Sequence, residues 1–253
     1  MQERPKTYNK QTGKSQIRKK NYSKKNNNQK TNNNIDTKVF ALGGLNEIGK
    51  NTYCFEHDNE IFIVDAGVKF AEEGLPGIDY VIPDYTYLKR NEKKIRGLLI
   101  THGHEDHIGG IPFLLQIVKI PFIYATPLAS AMIKRKLEER RLTNATKIIE
   151  IDDEYQIHSR YFNIGFFKTN HSIPESLGII INTPNGRIIE TGDFKFDLSP
   201  VGDPADYQKM SFLGETGVTL LMSDSTNAEV PTFSISEKIV ANSVQEEFRK
   251  TEG

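Results

Sequence analysis

Apolar residues are sparse over the first 35 positions, and short apolar runs begin only at Val39. Val39-Phe40-Ala41-Leu42 stops at Gly43-Gly44. Residues 51–56 and 61–64 follow as two strand candidates, with His57-Asp58-Asn59-Glu60 as the turn between them. Ile61-Phe62-Ile63-Val64 ends at Asp65-Ala66-Gly67, and a long loop then runs through Gly74, Pro76, Gly77 and Pro83. Residues 95–100 read as a buried strand that leads into Thr101-His102-Gly103-His104-Glu105-Asp106-His107. After Gly109-Gly110, residues 111–118 are apolar enough to open a buried helix, and 121–125 read as a strand. Pro127 suits the first turn of a helix with Leu128, Met132 and Leu137 on one side. Lys134, Arg135, Glu138 and Glu139 form its solvated side. Strand patterning returns over 147–189, with Asn185-Gly186 as a hairpin turn. Residues 218–222 form a further strand, and Ser236 caps a last helix carrying Ile239, Val240, Val244 and Phe248.

The order is strands, helices, strands, helix, with frequent hairpins and limited βαβ alternation. An α+β fold with two sheets packed face to face and helices outside satisfies it. At 253 residues the chain can hold one sizeable domain and the start of a second. The predicted segments are a disordered tail (1–35), a main domain (36–227) and the truncated start of another domain (228–253).

Composition sharpens the picture at the N-terminus. Lys+Arg and Asp+Glu balance at 33 each, but residues 1–35 contain ten Lys/Arg, eight Asn and a single acid. The remainder is therefore acidic, with 23 basic against 32 acidic residues. So polar a tail cannot offset its ordering entropy. It reads either as a basic arm that touches RNA phosphates or as a dispensable extension. The one cysteine, Cys54, lies in an alternating strand run and suits a reducing cytoplasm. No apolar stretch approaches the roughly 18 residues of a membrane span, and no apolar segment follows the N-terminal charges as in a secretory signal. A cytoplasmic protein with no membrane contact is the expectation.

Four metal-capable side chains fall within six residues: His102, His104, Asp106 and His107. A strand end followed by a tight loop aims all four into one small volume, with Gly103 allowing the bend. Imidazole with carboxylate suits zinc or manganese. The ligands are too many for one ion with an open position, so two adjacent metals are expected. Such pairs sit about 3.5–4 Å apart and clamp an in-line displacement at phosphorus. Glu105 is expected to face outward or to back the ligands. Of the other histidines, His57 and His158 read as surface residues. His171 follows an apolar strand and reads as a ligand, and Asp193, after Ile188-Ile189-Glu190-Thr191-Gly192, is either a turn residue, the commoner case for such an acid taken alone, or a carboxylate that bridges two cations.

His-Gly-His-Glu-Asp-His, a single downstream His, then Thr-Gly-Asp resembles the metallo-β-lactamase superfamily. The finer similarity is to the ribonuclease J family of its β-CASP branch. It is carried by residues 42–51 (Leu-Gly-Gly-Leu-Asn-Glu-Ile-Gly-Lys-Asn), 76–80, 101–110, 171–176, 191–197 and 223–227 (Ser-Asp-Ser-Thr-Asn). The resemblance implies an αββα sandwich at 36–227 and the start of a β-CASP domain at 228–253. It implies two zinc ions, with manganese as the alternative. His102, His104 and His171 would hold one, and Asp106 and His107 the other, with Asp193 bridging. Asp106 would also orient or deprotonate the nucleophile. Asp65 would buttress the ligand loop, and Asp224 would support the ligands from outside. Gly77, through its carbonyl, and Asp79 match positions that hold a structural calcium in some relatives.

By the same resemblance the substrate is RNA. The activity would be 5′-to-3′ exonucleolytic plus endonucleolytic, in rRNA maturation and mRNA decay, by a homodimer or homotetramer at full length. The family continues with segments that supply a further histidine ligand and a serine- and glycine-rich phosphate loop. Neither is found in these residues, so the chain is expected to be a truncated form whose own activity stays open. Its acidic core also lacks the basic groove expected for RNA. Two competitors stand beside the ribonuclease: a thioesterase or lactonase on the same scaffold, and a non-catalytic metal-binding fragment.

Overall fold

The computed structural model describes residues 35–71 and 74–251. The disorder expected for the tail falls on residues 1–34, outside those described. The chain opens with an antiparallel meander, β1 (Lys38–Gly43), β2 (Thr52–His57) and β3 (Glu60–Val64). A small hairpin, β4 (Lys69–Phe70) with β5 (Tyr80–Val81), and helix α1 (Thr86–Arg90) come next. All three short elements fall where sequence patterning is silent or shows only a loop. Then β6 (Ile95–Leu99), α2 (Glu105–Ile108), α3 (Ile111–Ile117), β7 (Phe122–Ala125), α4 (Pro127–Glu139) and β8 (Lys147–Glu150) alternate. This is more βαβ alternation than the pattern predicted, because β3, β6, β7 and β8 pair in parallel. The first sheet runs β1-β2-β3-β6-β7-β8.

The second sheet is built from β9 (Ile157–His158), β10 (Asn163–Lys168), β11 (Leu177–Thr183), β12 (Gly186–Glu190) and, after α5 (Tyr207–Thr216), β13 (Leu220–Met222). The β11–β12 hairpin turns on Pro184-Asn185, with Thr183 opposite Gly186, one residue earlier than expected. Gly186 takes φ 136°, a conformation that favours glycine.

Residue alternation sets the layers. Ile61 and Ile63 of β3 face α3 and α4, joining Ile111, Leu114, Ile133 and Leu137. Phe62 and Val64 face the other way, onto Ile164, Phe166, Ile179 and Ile181 of the second sheet. On that sheet's far side Phe167, Ile180 and Ile189 pack against Leu213 of α5. Helix, sheet, sheet and helix therefore stack in the expected αββα order. Each fully buried large apolar side chain contributes roughly 1.5–3 kcal/mol to the stack. Cys54 is buried within β2, as its pattern predicted.

Helix α6 (Glu237–Lys250) is capped by Ser236, whose side chain accepts from the Lys238 N–H. It is tied down at its first turn: Asp197 accepts from the Glu237 N–H (2.8 Å), and Lys195 pairs with Glu237 (2.6 Å). No residue of α6 is buried, and Ile239, Val240, Val244 and Phe248 are exposed.

His57 departs from expectation. It is 1% exposed, not a surface residue. Thr37 reaches its Nδ1 (3.0 Å) and the Tyr161 ring packs on it at 4.7 Å, so both flanking segments cover the turn. His158 is exposed, as predicted. No described helix is long and apolar enough to cross a membrane.

Candidate metal centre

Strands β3 and β6 lie side by side in parallel, Val64 opposite Leu99, and both release their chain at one end of the sheet. Asp65 leaves β3 with φ 58° and no exposure. Its Oδ1 accepts the Thr101 N–H (2.9 Å) and its Oδ2 the Thr101 hydroxyl (2.8 Å). The threonine proton is thus committed to Asp65. His102 Nδ1, 2.9 Å from the same oxygen, is left to donate, which frees His102 Nε2. His107 Nδ1 lies 2.7 Å from Asp65 Oδ2 and donates to it, which turns His107 Nε2 toward Asp106 and Asp193. The buried Asp65 carboxylate therefore sets His107 directly and His102 through the Thr101 hydroxyl.

The second half of the histidine run is helical, not a loop: α2 begins at Glu105 and carries Asp106 and His107. Gly103 does not adopt a left-handed backbone. A Cβ there would meet Met132 Sδ of α4 at 2.8 Å, the end of a flexible side chain that can give way. Glu105 turns outward, half exposed, and pairs with Lys136.

His171, after β10, and Asp193, after β12, come in from the second sheet. His104 Nδ1 lies 3.1 Å from His102 Nε2 and 3.1 Å from His171 Nε2. Three imidazoles converging on one point have the spacing of a ligand set. Zn–N bonds of about 2.0–2.1 Å in a tetrahedron put neighbouring nitrogens about 3.3 Å apart. Asp193 Oδ2 is 3.5 Å from His171 Nε2, and its Oδ1 is 3.4 Å from His107 Nε2. Asp106 Oδ2 is 3.5 Å from that same nitrogen. The donor atoms of His102, His104 and His171 form one group that could hold a metal, and those of His102, His107 and Asp193 form another.

The electrostatics match. Burial, together with the His107 charge, pulls His102 down to about 2, so it stays a neutral donor. Burial lowers His171 as well. Burial pushes Asp106 and Asp193 up, but the hydrogen bond and charge of His107 outweigh it and hold both below the usual carboxylate range. His107 is held well above the imidazole range, because Asp65, Asp106 and Asp193 together outweigh its burial. Three carboxylates therefore face His107 and favour its charged form, a charge that a bound cation would replace.

Three residues at the centre were not singled out from sequence. Asn51 touches Asp106 and His107, and Tyr53 touches Asn51. Glu190 is buried at the end of β12, and its Oε2 has no partner among the described residues. An acid inside the apolar run Ile188-Ile189-Glu190 was the available signal. All three line a cleft of about 610 Å³ beside Asp106, His107 and Asp193. Asp224 lines it too, but its carboxylate accepts from Thr226 N and Oγ1 within its own turn. It reaches the site through its N–H, donated to Thr191 Oγ1 (3.1 Å). Gly77 and Asp79 lie in the exposed β4–β5 connection and belong to neither metal-capable group.

Burial, reinforced by the Asp65 charge, pushes Glu190 from 4.5 up to about 8. A raised acid contributes stability in full below its ordinary value and loses it as pH rises through the folded one. Metal-free protein should therefore lose stability relative to Glu190→Gln between about pH 4.5 and 8, by on the order of a few kcal/mol. Urea unfolding of both at pH 5 and pH 8.5 measures it. A gap between the two that stays constant with pH contradicts the assignment.

Comparison with known proteins gives the family and the fold. The family model for the metallo-beta-lactamase superfamily matches residues 45–221. The chain is 60% identical over 206 residues to Ribonuclease J 1 of Streptococcus pyogenes, covering 81% of this chain and 37% of that one. It is 44% identical over 217 residues to Ribonuclease J of Mycoplasma pneumoniae, covering 86% and 38%. It thus spans less than two fifths of the length of these relatives. Among solved structures, a protein of unknown function from Enterococcus faecalis V583 superposes with a TM-score of 0.63 at 16% identity, over 84% of this chain and 57% of that one. That likeness bears on the fold.

Proposed function

The chain belongs to the metallo-β-lactamase superfamily, and from that premise we propose that it carries the two-metal centre of a ribonuclease that hydrolyses RNA phosphodiester bonds. One observation carries the two-metal reading: the two oxygens of Asp193 face different histidines, His171 and His107, one from each cluster. The ribonuclease reading is supported by the 60% identity to a protein named Ribonuclease J 1.

His102, His104 and His171 would hold one ion, and Asp106, His107 and Asp193 the other, with zinc as the metal and manganese as the alternative. Bound divalent ions there would lower the pKa of water and neutralise charge developing at phosphorus. The protein's own contributions follow from its geometry. Asp65 and Thr101 keep His102 and His107 in the tautomer with Nε2 free. Asp106, held ionised, orients the attacking water and accepts its proton. The buried wall formed by β3 and β6 keeps bulk solvent from the ligands' far side.

The finer reading extends the resemblance: 5′-to-3′ exonuclease and endonuclease action in rRNA maturation and mRNA decay, in the cytoplasm, by a homo-oligomer. Residues 36–227 would form the catalytic domain and 228–253 the start of a β-CASP domain. Gly77 and Asp79 would hold a structural calcium, and Asp224 would support the site through the loop of Asp193.

The test is incubation of the purified chain with Mn²⁺ or Zn²⁺ and a 5′-monophosphorylated RNA, beside a thioester and a lactone. The expected result is metal-dependent shortening of the RNA with both esters intact. Ester hydrolysis without RNA cleavage would assign a different hydrolase. Bound metal with no turnover of any substrate would make the chain a non-catalytic metal-binding fragment.

A further inference from the structure

The side chain of Asn51 stands between the β1–β2 connection and α2, against two of the proposed ligands. Its Nδ2 lies 3.1 Å from the Asp106 carbonyl, 3.3 Å from Asp106 Oδ2 and 3.1 Å from His107 Nε2. Its main chain is held on both sides. The Asn51 N–H donates to the Asp106 carbonyl (3.1 Å), and the Asn51 carbonyl accepts from Gly67 N–H (3.0 Å). The amide's orientation follows from Asp106, whose carbonyl and carboxylate oxygens can only accept, and it leaves Asn51 Oδ1 3.1 Å from the Tyr53 hydroxyl, which also lies 3.3 Å from the Gly44 carbonyl. Burial, with the charge of Glu190 adding to it, pushes the phenol up to about 12, so it remains a donor throughout the working range. With Nδ2 committed to Asp106, Oδ1 is left to accept from the Tyr53 hydroxyl.

An amide nitrogen has two N–H groups, and Asp106 offers it two acceptors, its carbonyl and its Oδ2. Whether the neighbouring His107 Nε2 carries a proton or an ion, both N–H groups remain with Asp106. The carboxylate therefore stays aimed whether or not the neighbouring position is filled. No hydrogen bond joins Asn51 to His104 or His171 among the described residues.

We propose that Asn51, backed by Tyr53, is a positioning residue that sets metal affinity at the Asp106/His107/Asp193 position and not at the His102/His104/His171 position. The inference rests on the two-metal reading above. Partners that hold a metal ligand from behind typically alter affinity by about 10–100-fold when removed.

The test is titration of metal-free protein with cobalt(II) chloride alone, followed by calorimetry and by visible absorption of the bound ion. The parent should take up two equivalents; if it does not, the two-metal reading fails before any variant is made. In Asn51→Ala the step of the Asp106/His107/Asp193 position, identified as the one that survives in His104→Ala, should fall by about 10–100-fold while the other stays within about twofold. Tyr53→Phe, which removes one hydroxyl from a residue that remains packed, should move the same step in the same direction by a smaller factor. It also answers the question if Asn51→Ala does not fold. Equal weakening of both steps, or no change in either, in whichever variants fold overturns the proposal.

Discussion

His104→Ala will lower metal-dependent RNA cleavage by about 10³-fold or more, equivalent to about 4 kcal/mol of lost transition-state stabilisation. The reason is geometric. His104 Nδ1 is the common neighbour of the His102 and His171 nitrogens, at 3.1 Å from each. Removing it leaves two imidazoles that no longer close a ligand set. The fold should survive, because His104 is half-buried at the site and lies outside all three hydrophobic cores. Metal content should drop by one equivalent, with thermal unfolding of the metal-free protein little changed. A variant that cleaves as well as the parent would remove the basis for a metal centre at these residues.

Gly67→Ala will damage fold and site together. A Cβ on Gly67 would stand 1.5 Å from the Asp106 carbonyl oxygen, 2.2 Å from its carbon and 2.9 Å from the His107 nitrogen. All three are main-chain atoms of α2, so no side chain can rotate away. The first turn of α2 must move by roughly 2 Å, and overpacking of this kind costs about 3 kcal/mol or more. For a domain of this size that is a fall in Tm of about 6–12 °C. A displacement near 1 Å already costs about 10²-fold in rate, so Asp106 and His107 should also lose their ion. Unchanged Tm with two equivalents of metal would mean that α2 does not pack on Gly67 as described.

The outline of the fold was legible because its strands are short apolar runs ended by glycine, proline or acidic turns. The alternation within Ile61-Phe62-Ile63-Val64 carries the two-core arrangement directly. The β4–β5 hairpin and α1 escaped notice because they are two to five residues long and bury little: Leu88 is the one buried residue of α1. Helix α2 was hidden by its chemistry, since a four-residue helix has no periodicity to show. His57 was misjudged because burial of a turn depends on segments that pack over it from elsewhere in the chain.

Four of the proposed ligands, His102, His104, Asp106 and His107, stood out by their spacing, whereas most residues placed to aim them did not. Asn51 lies 55 residues from Asp106, a distance in sequence that no local pattern spans, and Tyr53 stands beyond it in β2. Asp65 was visible as a strand-end acid, but its grip on two imidazoles is a property of β3 and β6 lying in parallel register.

The most direct measurement is anomalous diffraction from crystals of the chain grown with zinc or manganese. Two peaks should appear about 3.5–4 Å apart, one within bonding distance of His102, His104 and His171, the other of Asp106, His107 and Asp193, with Asp193 between them. A single peak, or two that leave Asp193 uncoordinated, contradicts the two-metal centre.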